Sequence, residues 1–245
     1  MNSILLCEGS TDYVLLQYYM REVYGWKDCQ EGRGPKYLSP SRIFSKEGDH
    51  LVIGGTGGST QMIPKLEKIL ENNRISALEE EEYRKIAIVT DHDELTTESE
   101  LVENLKEIFE KYSLTMREHS NICTGKWISA SMKNARDWTI LIKILILVIP
   151  FEETGAMETF LLDSISKKDE YDAEIIRQGN KLVDSVDPEE RYLYHRRYIT
   201  KAKFDVYFSI RTPAAFFTQR QDILRGIEWK EYEEIQRSFV ELGEL

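Results

Sequence analysis

The chain has 245 residues, 41% of them hydrophobic and 31% charged, enough to bury a substantial core as one large α/β domain or as one domain with a helical appendage. Its net charge of −11 argues against nonspecific nucleic-acid binding by the whole surface, and its cysteines (Cys7, Cys29 and Cys123) are too widely spaced for a disulfide framework or a cysteine zinc site. The expected compartment is the reducing cytoplasm, with no membrane partner. The N-terminus lacks a signal-peptide pattern, and the longest apolar run, Ile140 to Ile149, contains Lys143 and is about half the length that spans a bilayer.

Along the chain, Ser3 to Cys7 forms a short apolar run that predicts a strand, followed by Glu8-Gly9-Ser10 as a turn. Thr11 or Asp12 then caps a helix to Tyr24, with Val14, Leu15, Tyr18 and Tyr19 as its apolar stripe. Lys27 to Gly48 is rich in Gly, Pro, Ser and charge, and predicts a loop excursion. A strand over Leu51 to Ile53 runs into Gly54-Gly55-Thr56-Gly57-Gly58, and a helix follows from Ser59 to Leu70. The acidic run Glu79 to Glu82 is expected to face solvent. A third strand, Lys85 to Thr90, ends at Asp91-His92-Asp93, and Thr97 to Tyr112 has the periodicity of an amphipathic helix.

Asn121 to Ile128 and Ile140 to Ile149 predict further strands, separated by a polar turn near Lys133 to Asp137. Beyond Pro150 the pattern turns helical: Met157 to Ser164, Ala173 to Val186, Tyr192 to Ile210 and Trp229 to Leu242. Strands alternating with helices imply a mainly parallel sheet flanked by helices. The expected division is an α/β core over 1–165 and a helical C-terminal extension over 166–245 packed on it.

In such a sheet, functional residues gather beyond the carboxyl ends of the strands. If the strands ending in Glu8 and in Asp91 and Asp93 are neighbours, three carboxylates meet at one rim. Acids that close repel one another, and a hard divalent cation such as Mg²⁺ or Mn²⁺ relieves the repulsion. Asp91 and Asp93 are two apart, so in a continued strand one ion could bridge them. Asp12 is open to two readings, ligand of a second metal or N-cap acid. His92, between the aspartates, should point away from them. The Gly54 to Gly58 run fits neither a Walker A loop nor a dinucleotide fingerprint. It is expected to be a tight turn, with Gly54 and Gly55 near a substrate phosphate as the lesser reading.

From Arg191 to Arg225 eight basic side chains stand against two acidic ones, a stripe that includes Arg196, Arg197, Lys201 and Lys203. It suits contact with nucleic-acid phosphates as well as a plain solvated helical face. The tyrosines and Phe216-Phe217 suit base stacking or, more commonly, core packing.

At ILLCEGSTD (Ile4 to Asp12) and IAIVTDHD (Ile86 to Asp93) the chain resembles the Toprim family of topoisomerases, primases and nucleases. EGSTD is similar to the acidic motif of OLD-type nucleases, and Val148 to Ser164 resembles an element of small stand-alone Toprim proteins. Lys201 and Lys203 echo the K-x-K of their C-terminal helix. The insertions at Lys27 to Gly48 and Met116 to Trp138 depart from the compact form.

The resemblance implies a Toprim-like fold and Mg²⁺-assisted attack on a phosphodiester of DNA or RNA. Asp91 and Asp93 would then ligate the metal, and Glu8 would serve as ligand or as general acid/base. Glu158 would complete a second metal position or orient a water, and Lys201 or Lys203 would offset developing phosphate charge. By the same analogy such a nuclease is a toxin or anti-phage effector restrained by an ATPase partner protein. Two other functions stay open: a non-catalytic subunit that binds a metal or nucleotide, and a small-molecule phosphotransferase or phosphatase using the same acids.

Overall fold

The computed structural model describes all residues except 30–33, 77–80, 117–120, 152 and 214–219, together with the side chains of 220 and 221. Phe216 and Phe217, and part of the Glu79 to Glu82 acidic run, therefore lie outside the described residues.

One eight-stranded sheet organises the chain, in the order β2-β3-β4-β1-β5-β8-β7-β6. Its centre is parallel: β4 (Asp49–Gly55), β1 (Asn2–Cys7), β5 (Tyr83–Asp91) and β8 (Thr139–Ile149). Antiparallel strands extend both sides, β2 (Lys27–Asp28) and β3 (Ser41–Lys46) beyond β4, and β7 (Ile128–Lys133) and β6 (Thr115–Met116) beyond β8. The expected class, a largely parallel α/β sheet with helices on its faces and a helical C-terminal region, is the observed one.

The central strands are apolar on both faces because both faces are covered. Leu5, Cys7, Ala87, Val89, Leu145, Leu147 and Ile149 point to one side, onto α1 (Ser10–Glu22), α4 (Met157–Lys168) and the C-terminal elements. Ile4, Leu6, Ile86, Ile88, Ile144, Ile146 and Val148 alternate with them and pack on α2 (Met62–Ile75) and α3 (Thr97–Lys111). The C-terminal region comprises α5 (Glu170–Val186), α6 (Arg196–Arg211), α7 (Arg220–Arg225) and α8 (Glu233–Ser238). Phe204, Trp229, Phe239 and Leu242 from this region belong to the same buried cluster as Leu15 and Tyr19 of α1.

Three expectations need correction. Lys27 to Gly48 is not a bare loop: β3 and β4 form a hairpin in which Lys46 pairs with Asp49 across Glu47 and Gly48, both at positive φ (53° and 89°). The mostly half-exposed β3, with only Phe44 buried, hid the alternation that would have shown it. The strand expected at Asn121 to Ile128 begins only at Ile128, where alternate side chains become buried, and runs to Lys133. The helix expected over Trp229 to Leu242 is α8 flanked by two 3₁₀ turns, which still bury Trp229, Tyr232, Ile235, Phe239 and Leu242. Spacing of three and four residues reports burial on one side and does not require one continuous helix.

Trp229 is fully buried, and its Nε1–H donates to the Leu224 carbonyl at 2.7 Å. Trp229→Ala is expected to cost about 3–5 kcal/mol. In urea the variant should unfold in one transition at a lower midpoint. A separate early transition of the C-terminal region would contradict the shared core.

Candidate acidic cleft at the strand ends

The four parallel strands deliver their carboxyl ends to one rim, and the loops that leave them enclose a cleft of about 870 Å³. Cys7 pairs with Val89 in the β1–β5 ladder, so the next residues, Glu8 and Thr90, also come together. Thr90 Oγ1–H donates to Glu8 Oε2 at 3.0 Å. Asp12 sits in the first turn of α1, buried, and accepts the Gly9 N–H at 2.6 Å. Asp91 closes β5 and accepts the Met157 N–H at the start of α4 at 2.9 Å. One residue further, Glu158 is 6% exposed and accepts a hydrogen bond from Thr11 Oγ1 at 2.9 Å. Glu8, Asp12, Asp91 and Glu158 all line the cleft.

Their electrostatics follow from crowding in a dry place. Burial pushes the Asp91 carboxyl well above the usual carboxylate range, the charges of Asp12 and Glu8 push it further, and the Met157 amide opposes them. Burial likewise raises Asp12, against the pull of the Gly9 amide and with the push of Glu158 and Glu8. Glu8 is raised by burial, with the Thr90 hydroxyl opposing and Asp93 adding to the shift.

Among the described residues no Lys or Arg forms an ion pair with any of the four. Like-charged groups removed from water are stable only when protonated or neutralised by a cation. An all-oxygen donor set is of the kind Mg²⁺ or Mn²⁺ takes. The donors converge on one cavity but, among the described residues, no three Asp, Glu, His or Cys side chains form a finished coordination set.

The other expected residues divide. Asp93 lies in the cleft wall, half exposed, with its carboxylate 3.9 Å from Arg196. Asp91 and Asp93 thus engage different elements, α4 through Met157 and α6 through Arg196, while both line the cleft. Arg196 also donates to the Asp93 carbonyl and lies 3.8 Å from Glu94. Arg197 and Lys201 line the cleft. Lys203, on the other hand, is turned to α5, where it pairs with Asp184 at 2.8 Å, and is not part of the cleft. Gly55 lines it, whereas Gly54 is a packing position: a Cβ there would lie 2.6 Å from Leu38 Cδ1. His92 is buried away from the acids, with Nδ1 at 3.0 Å from the Pro150 carbonyl.

Thr11, Thr90, Tyr194 and His195 were not singled out from the sequence. The two threonines carry no motif, but each directly precedes an acid of the cleft (Asp12 and Asp91), which was the available signal.

Fold and site together define a mixed α/β protein with an acidic cleft at the carboxyl ends of a largely parallel sheet. Residues 2–241 match the family described as "Protein of unknown function (DUF3226)", and the chain belongs to that family. No curated protein matches it. A hypothetical protein from Pyrococcus horikoshii OT3 is similar at 15% identity and a TM-score of 0.50, over 98% of this chain and 99% of that one, a likeness of fold alone. A lactoylglutathione lyase from Agrobacterium tumefaciens matches at 13% identity over 59% of this chain and 91% of its own, with a TM-score of 0.17. A fosfomycin resistance protein from Listeria monocytogenes matches at 14% identity over 66% and 94%, also at 0.17. Scores of that size carry no structural argument.

Because the Glu8, Asp12 and Asp91 carboxyls bind protons more tightly folded than unfolded, they favour the folded state at low pH. That advantage is lost as pH rises from about 4, the unfolded value, through the raised folded values. In metal-free buffer the thermal midpoint is therefore expected to fall between weakly acidic and neutral pH, and Asp91→Asn should flatten the fall. A midpoint that rises in parallel for both proteins would contradict the crowding.

Proposed function

We propose that this chain is a Toprim-type nuclease dependent on Mg²⁺ or Mn²⁺ that cuts a phosphodiester of DNA or RNA. The observation that carries the reading is the pairing of opposites across one cleft. Four carboxylates without a counter-cation occupy its floor, and Arg197 and Lys201 stand in its wall. A phosphodiester between them would meet the lysine and arginine directly and the carboxylates only through a metal.

Asp12, Asp91 and Glu158 would hold the ion, with the Gly9 and Met157 amides and the Thr11 hydroxyl fixing their orientation. When bound, the metal supplies charge neutralisation at the phosphate and makes its water more acidic. Glu8, hydrogen-bonded by Thr90 and with its proton affinity raised by burial, is the group placed to take the proton from the attacking water. Arg197 and Lys201 neutralise phosphate oxygens as charge builds on them. Lys203, paired with Asp184, has no part in this scheme.

A second reading, a non-catalytic subunit that binds a metal or nucleotide in the same cleft, is favoured by the net charge of −11. Cleavage assays on single- and double-stranded DNA and RNA with Mg²⁺ or Mn²⁺ separate the two. The nuclease reading expects cutting by the wild type that falls at least about a hundredfold in Glu8→Gln and in Asp91→Asn, with both variants still folded by circular dichroism. Calorimetric metal uptake without any cutting would support the second reading instead.

A further inference from the structure

Beside the acidic floor, Tyr194 lines the cleft within a segment whose aromatic rings no packing requirement explains. Tyr192, Tyr194 and Tyr198 are 67%, 64% and 43% exposed. Tyr194 and Tyr198 meet edge to face, with ring centroids 5.2 Å apart and planes at 83°. Arg191 lies over the Tyr192 ring at 5.3 Å.

The segment that carries them is held in place. The Asp187 carboxylate accepts the N–H groups of Arg191, Tyr192 and Leu193 at 3.1, 2.7 and 2.8 Å. His195 Nδ1 accepts the Arg197 N–H at 3.2 Å and so starts α6. This anchored turn brings Tyr194 into the cleft wall beside Arg197 and Lys201. Among the described residues neither of these two cations has a carboxylate partner, whereas Lys203 and Arg211 of the same helix pair with Asp184 and Asp172.

We infer that this lip is a base-stacking platform for single-stranded nucleic acid: Tyr194 and Tyr198 take unpaired bases, and Arg197 and Lys201 take the phosphates between them. The inference rests on the nuclease reading for the direction in which the strand runs, toward Glu8 and Asp91. Aromatic faces stack on bases that are not already stacked on each other, and every unpaired base offers such a face. A duplex hides those faces and carries two lines of phosphate charge. On a chain of net charge −11 the rest of the surface is acidic on balance and would repel both lines of charge. A single strand needs only one line of cations beside one aromatic edge, which is what the lip provides.

Fluorescence anisotropy of the whole chain in EDTA tests this with labelled strands of about 15 nucleotides: oligothymidylate, oligouridylate, an abasic strand and a blunt duplex. The unpaired strands are expected to bind at least about tenfold more tightly than the duplex or the abasic strand. Tyr194→Ala and Tyr198→Ala should weaken strand binding by about tenfold to a hundredfold, and Tyr194→Phe should retain it within about twofold. An oligodeoxyuridylate set against the oligouridylate, which differs from it in the sugar alone, identifies the sugar the lip prefers. Equal affinity for duplex or abasic strand, or alanine variants that bind like wild type with an unchanged thermal midpoint, would overturn the platform. Tyrosine-dependent strand binding without cleavage in Mg²⁺ or Mn²⁺ sinks the nuclease reading and upholds the platform. Cleavage of single strands that Tyr194→Ala leaves unchanged does the reverse.

Discussion

Repulsion among buried carboxylates is the constraint to which the surroundings of the cleft respond. Asp12, Asp91 and Glu158 are largely withdrawn from water, with Glu8 half-buried beside them, and each of the first two feels the charge of others in the group. The fold answers with backbone amides at the starts of three helical segments: Gly9 before α1 on Asp12, Met157 of α4 on Asp91, and Ser59 on Glu8. A helix N-terminus contributes about 0.3–2 kcal/mol to a nearby anion. Withdrawing one carboxylate from water costs several kcal/mol. The amides orient the acids, therefore, but they do not neutralise them. Some external positive charge, a proton or a cation, must complete the site, and only a cation leaves the acids in the ionised form that the proposed chemistry uses.

That constraint is imposed by the register of two strands distant in sequence. Parallel pairing of Cys7 with Val89 puts Glu8 beside Thr90 and one residue from Asp91. Slipping that register by one residue would exchange Leu5 and Cys7 with Ile4 and Leu6 between two fully covered faces. The cores on both sides resist such a slip, since Leu5 packs toward α1 and Ile4 toward α2. Side chains far from the cleft thereby hold the acids at a fixed spacing.

Much of this was legible because apolar strands ending in acids are a local pattern: ILLCEG and IAIVTD each record a strand and the group at its tip. Adjacency of the two tips was an inference from βαβ order, and the β1–β5 ladder makes it a fact. What stayed illegible depended on neighbours. Lys201 and Lys203 look alike as K-x-K, yet two residues along a helix point in directions about 200° apart. One faces the cleft and the other meets Asp184. Asp91 and Asp93 look alike as D-x-D, but the chain leaves β5 after Asp91, and Asp93 comes within reach of Arg196. The half-exposed strand β3 and the broken helix after Trp229 were hidden because weak alternation and apolar spacing report burial more faithfully than backbone path.

Sign of charge also sorts the cleft into two working surfaces. The floor, built at strand ends and helix starts, is anionic and immobilised by hydrogen bonds to backbone and threonines. The wall, built by the turn into α6, is cationic and aromatic: Arg197 and Lys201 line the cleft, whereas Lys203 and Arg211 of the same helix pair with Asp184 and Asp172. A surface that is acidic overall would repel a polyanion almost everywhere. On the proposed reading, Arg197 and Lys201 would offset that general repulsion locally, where the phosphates of a strand would also come nearest to Glu8 and Asp91.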